Sequence, residues 1–126
     1  MMSAMLPKDL PAIFLDSAFI SLDGEAAWPP QIATEVVDWL GNHSYGVLGA
    51  DIWIVTPESD IFTTFRDLTG QDCVWAIAVD RGAGEYWGSY CSRAASTVSE
   101  SIRKIDISEI SASGRVLVNL TFASEQ

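Results

Sequence analysis

Residues 45–56 carry the pattern that most limits what this chain can fold into. They read Tyr-Gly-Val-Leu-Gly-Ala-Asp-Ile-Trp-Ile-Val-Thr, with Leu48, Ala50, Ile52 and Ile54 apolar at every second position. A strand sends alternate side chains to opposite faces, so this set is expected to meet a core. Val47, Gly49, Asp51, Trp53 and Val55 then share the other face, which is mixed and partly usable for function. Pro57 cannot donate to a sheet ladder and should end the strand.

The flanking segments supply the rest of a small domain. Leu10, Ile13 and Phe14 have helical spacing in residues 7–17, with Pro11 near the start of a short helix. Asp23-Gly24 and Pro29-Pro30 make residues 21–30 read as a connector. A second helix is expected over residues 30–40, where Ile32, Val36, Trp39 and Leu40 form one apolar stripe opposite Gln31, Glu35 and Asp38. Gly41 or Asn42 would end it. Ile61, Phe62, Phe65 and Leu68 suggest a helical turn or two in the polar excursion 58–70. Residues 73–79 are apolar throughout and read as a central strand buried on both faces, with Trp75 in the core.

Trp87, Cys91, Ala94, Val98, Ile102 and Ile105 repeat at three- and four-residue intervals, which predicts one long helix over residues 85–105. The Thr97 to Glu100 match to a capping box offers a restart at Thr97 as the alternative. Val116, Val118, Leu120 and Phe122 alternate along a last strand. The sum is one α+β domain over residues 1–126, a two-layer arrangement of a three-stranded sheet with its helices packed mainly on one face. The other face would then present Asp51 and Trp53, with Asn119 and Thr121.

Charge narrows the partners. The first 65 residues hold nine acids and one base, Lys8, whereas residues 66–126 hold eight acids and six bases, for a net charge of -10. An acidic half repels nucleic acid and anionic membrane and speeds encounter with a basic partner. Solubility alone is the plain alternative. The N-terminus lacks a basic region and its apolar run is broken by Asp16, so no signal peptide or membrane span is expected. Cys73 and Cys91 fit reduced thiols in a cytoplasmic protein, and the sequence leaves a bridge between them open.

No catalytic motif emerges, and no cofactor or metal is expected. The single histidine, His43, follows a helix end, where a surface residue favoured by the dipole is the expected role. Two cysteines and one histidine lack zinc spacing. Gly82-Ala83-Gly84 lacks the third glycine and the acid of a dinucleotide fingerprint, and Glu58 with Asp60 lacks a calcium-loop pattern. Trp53 beside Asp51, and Trp87 beside Glu85 at the start of the long helix, are candidate interface anchors. Ser89, Ser92, Ser96 and Ser99 suit a solvated helix face or a packed helix contact.

The run Val47-Leu48-Gly49-Ala50-Asp51-Ile52-Trp53, followed by a strand, a Glu85-x-Trp87 helix and a last apolar strand, resembles a bacterial immunity-protein family, the fortieth of the polymorphic-toxin series. That family's strand typically reads Leu-Gly-Gly-Asp-Val-aromatic. Leu48, Gly49, Asp51 and Trp53 match, Ala50 departs from the second glycine, and residues 58–72 run longer than the family's connection. The resemblance implies a small cytoplasmic α+β protein that binds and neutralises a toxin and is not an enzyme. The partner-binding residues expected from the sheet-face and charge arguments are Asp51, Trp53, Glu35, Asp38, Glu58, Asp60, Glu85 and Trp87. Two other readings stand beside it: a small-ligand binder or enzyme with a pocket between the sheet and residues 58–70, and an accessory subunit that pairs with its own copy as a homodimer.

Overall fold

A computed structural model describes residues 6–111 and 113–125. The chain forms α1 (Ala12–Ser17), β1 (Phe19–Ile20), β2 (Ala26–Trp28), α2 (Pro30–Asn42), β3 (Tyr45–Val55), β4 (Ile61–Phe62), β5 (Phe65–Asp67), β6 (Asp72–Cys73), β7 (Ala76–Ala78), α3 (Trp87–Arg103), a 3-10 turn (Ile107–Glu109), β8 (Ile110–Ser111) and β9 (Arg115–Ser124). The architecture is α+β. The main sheet has six strands rather than three, in the order β1-β2-β9-β3-β4, with β7 also on β3; β6-β5-β8 make a second, small sheet.

The centre is the antiparallel pair of the two long strands, which runs from Tyr45 opposite Ser124 to Val55 opposite Arg115. The expected connector 21–30 contains the β1–β2 hairpin, and β2 pairs with the far edge of β9. Its run of only three residues, all buried, shows no alternation to read. Trp28 there is fully buried, and its indole N–H donates to the Phe14 carbonyl at 2.8 Å.

Residues 73–79 are not a central strand. β7 is short and lies on the outer edge of β3, Val74 is 67% exposed, and Trp75 is half-buried at the margin of the core. An unbroken apolar run satisfies a buried strand and an edge equally well when no long partner is available on its outer side. The excursion 58–70 is strand and hairpin, not helix, because Ile61 and Phe62 pair with Val55 and Ile54.

Three hairpin loops share one geometry. In residues 21–25, 56–60 and 67–71 the first residue's N–H donates to the fifth carbonyl (2.8, 2.9 and 3.0 Å) and the fourth N–H returns to the first carbonyl. The side-chain oxygen of Ser21, Thr56 or Asp67 accepts from the fifth N–H at 3.0 to 3.1 Å. The fourth residue is left-handed in each: Gly24, Ser59 (φ 69°) and Gly70. This is a turn closed by a one-residue bulge, and glycine suits its fourth place.

Pro29 and Pro30 open α2, since Pro30 at the first turn gives up an N–H that would be unpaired anyway. The helix continues through Gly41 and Asn42, and the left-handed residue after it is Ser44 at φ 65°. Gly41 serves the helix crossing instead: a Cβ there would stand 2.5 Å from the Cβ of Ala95 on α3. α3 is one uninterrupted helix, which settles the Thr97 alternative.

The larger core lies between the sheet and the α2–α3 pair, with Trp28, Val36, Leu40, Val47, Tyr90, Val98, Ile102 and Val118 buried in it. Tyr90 keeps its hydroxyl satisfied by donating to the Val79 carbonyl at 2.6 Å. A smaller cluster of Ala27, Trp53, Val55 and Leu117, flanked by Phe19 and Ile61, is built entirely from strand residues. No helix among the described residues is long and apolar enough to cross a membrane.

Candidate functional site

The alternation in β3 is broken once. Its register to β9 shifts between Val47 and Gly49, a bulge at Leu48. Val47 therefore faces the larger core, whereas Leu48 is 39% exposed and its carbonyl accepts from the Val79 N–H at 2.9 Å. Beyond the bulge Ala50 faces that core, and Asp51, Trp53 and Val55 share the opposite face. Gly49 admits β7, since a Cβ there would lie 2.6 Å from the Ile77 carbonyl oxygen. The close backbone approach in the matched motif thus falls on Gly49, not on the position where alanine replaces glycine.

Trp53 is not available as an interface anchor. It is 4% exposed, meets Phe19 edge-on with ring centroids 6.4 Å apart, and donates its indole N–H to Asp51 Oδ2 at 3.2 Å. The expectation of an open sheet face did not allow for the β1–β2 hairpin, which brings Phe19 over this tryptophan. Asp51 is half-buried. Burial pushes its carboxyl above the ordinary value, the Trp53 N–H lowers it, and the negative Glu25 raises it again. Asn119, opposite Asp51, is buried and donates to the Ala26 carbonyl at 2.8 Å.

Glu85 and Trp87 are likewise engaged within the chain. Arg93 grips Glu85 with two nitrogens at 2.9 and 2.8 Å, and the Gly82 N–H adds a third bond at 2.8 Å. Those bonds, Arg93 foremost, hold the Glu85 carboxyl down to about 2. Arg93 also donates to the Asp80 carbonyl, so the clasp fastens the turn 80–85 to the first turns of α3. Trp87 donates its indole N–H to the Ser44 carbonyl at 2.8 Å and lies under the Arg81 guanidinium at 5.3 Å.

The remaining site residues are exposed carboxylates. Glu35 and Asp38 are exposed on α2, and Asp38 meets Arg103 of α3 at 3.5 Å. Glu58 and Asp60 lie in the loop joining β3 to β4. The structure does not gather the eight residues into one surface: α2 covers one side of the sheet and Asp51 projects from the other.

Among the described residues no three His, Cys, Asp or Glu side chains gather as a metal site. His43 is exposed just past α2, stacked on Trp39 at 3.9 Å. Both cysteines are free, and burial pushes the Cys91 thiol above its ordinary value. Shallow cavities of about 170, 370 and 440 Å³ lie beside Glu25 and Asn119, at the start of α2, and between α2 and α3. None of these three is lined by a residue of 58–70. Sequence reasoning missed the Arg93 clasp, whose partners stand eight residues apart with one of them outside the helix, and the cavity between α2 and α3.

No family model, no curated protein and no solved structure matches this chain.

Proposed function

We propose that the protein is a cytoplasmic binding protein that neutralises a basic protein partner by occlusion, and that the partner is the cognate toxin of a bacterial polymorphic-toxin system. The observation that carries the first part is the unbalanced charge of residues 1–65. Of their nine acids, only Asp38 stands in an ion pair among the described residues. Unpaired carboxylates on a rigid scaffold raise the encounter rate with a cationic surface and exclude acidic competitors. An interface of about 1,600 Å² in total would suffice for tight binding. Glu35, Asp38, Glu58 and Asp60 are the exposed residues suited to it. The toxin system itself rests on the match of Leu48, Gly49, Asp51 and Trp53 to the family strand.

An affinity pulldown with this protein as bait, run at low and high salt, tests the reading. Recovery of one basic polypeptide whose binding weakens as salt rises is the expected result. A recovered partner that is acidic, or whose affinity ignores salt, rejects it.

A further inference from the structure

We propose that the groove between α2 and α3 receives a lysine or arginine side chain of the partner. This rests on the reading that the partner is a basic protein, and it names where one of its cations is held.

Ser99 supplies the motive. It sits on the inner side of α3, is 1% exposed, and its hydroxyl has no hydrogen-bond partner. A buried hydroxyl left unpaired costs stability that alanine at the same place would not cost. Ser99 is among the residues lining the cavity of about 440 Å³ between the helices, so its unpaired hydroxyl lies just beneath a polar groove rather than deep in the apolar core. Gly41 and Ala95, which face each other where the two helices meet, carry almost no side chain and leave room for the groove.

The other polar atoms around it are mostly oxygen acceptors. α3 adds the hydroxyls of Ser92 and Ser96 and the carboxylate of Glu100, and α2 adds Asp38 and the Asn42 amide. Glu100 stands in no ion pair among the described residues. An ammonium has three donors and a guanidinium five, with no acceptor, which complements such a lining. The one cation present, Arg103, holds Asp38 only at 3.5 Å with a side chain 59% exposed. A pair that open and that long is weakly held, so Arg103 can yield Asp38 to an incoming cation.

The test uses the full chain and two probes at low salt, tetra-arginine and tetra-lysine peptides blocked at both ends, followed by amide chemical-shift mapping. The expected result is saturable binding with the largest shifts at Gly41, Asn42, Ser96 and Ser99. Ser99→Ala and Glu100→Gln should each weaken it about three- to tenfold, the range of one hydrogen bond or charge contact. Glu109→Gln, which removes one charge outside the groove, should change it less than about twofold. Urea unfolding of free Ser99→Ala should show it at least as stable as the natural protein.

Peptide binding with shifts elsewhere, or with unchanged affinity in Ser99→Ala and Glu100→Gln, overturns the groove and leaves the basic-partner reading standing. Absence of binding by either peptide at millimolar concentration removes both. A marked loss of stability in Ser99→Ala would show that the hydroxyl serves the fold, and would also overturn the proposal.

Discussion

Trp53 illustrates how one side chain changes role when a neighbour arrives. Lying against Phe19, Ala27 and Leu117, it is the largest member of the smaller core. Trp53→Ala should cost about 3 to 5 kcal/mol in urea unfolding, the range for deleting a buried large aromatic, so any partner-binding loss would follow from the fold. Glu85 makes the opposite point, since a carboxylate expected at an interface is spent on Arg93. Its folded pKa of about 2 lies below the ordinary 4.5. The stabilisation is therefore full above 4.5 and disappears as pH falls through about 2. Glu85→Gln should melt lower than the natural protein at pH 7 and equal to it near the bottom of that window. Asp51 has the reverse sign: its raised pKa makes the ionised form a burden on the folded state, relieved on acidification.

Among the elements, two local features set the packing. Gly41 lets α2 and α3 touch, and Gly41→Ala would place a Cβ 2.5 Å from that of Ala95 and 3.2 Å from the Cys91 carbonyl oxygen. Overpacking of this kind costs about 1 to 3 kcal/mol, which exceeds the gain of up to about 1 kcal/mol from alanine's helix propensity. A net loss of stability in thermal or urea melts is expected, with recovery in the double variant Gly41→Ala, Ala95→Gly. Ser59 occupies the left-handed place that glycine takes in the two sister loops. Ser59→Gly should raise stability by about 1 kcal/mol, the cost of a side chain in that conformation, less a little chain entropy. Equal or lower stability would show that the loop is held by contacts of its own.

Over the whole molecule the dominant quantity is charge. A net charge of -10 on 126 residues, with four ion pairs among the described residues, leaves the folded chain repelling itself. Raising sodium chloride from about 0.02 to 0.3 M shortens the screening length several-fold and should raise the melting temperature of the free protein. The same salt should weaken capture of a basic partner. Opposite responses of stability and affinity to one variable separate a charge used for recognition from one that merely keeps the chain soluble.

Residue order alone was enough for the elements with long periodic patterns: α2 and α3, the two long strands, and one α+β chain with a surplus of negative charge. Those patterns are legible because burial of a single stripe or face repeats every 3.6 or 2 residues over about ten or more positions. The short pieces were settled in three dimensions. The β1–β2 hairpin, β4 and β7 have two or three residues per strand, too few for a period, and exist because the edges of β3 and β9 offer them unpaired backbone. So were the fates of the candidate residues. A tryptophan or a glutamate reads the same whether it faces solvent, Phe19 or Arg93, and the Leu48 bulge, which moves Val47 to the core side, leaves no mark in composition. The Ser99 groove is likewise a product of two helices meeting at Gly41 and Ala95, residues that are 54 positions apart in the chain.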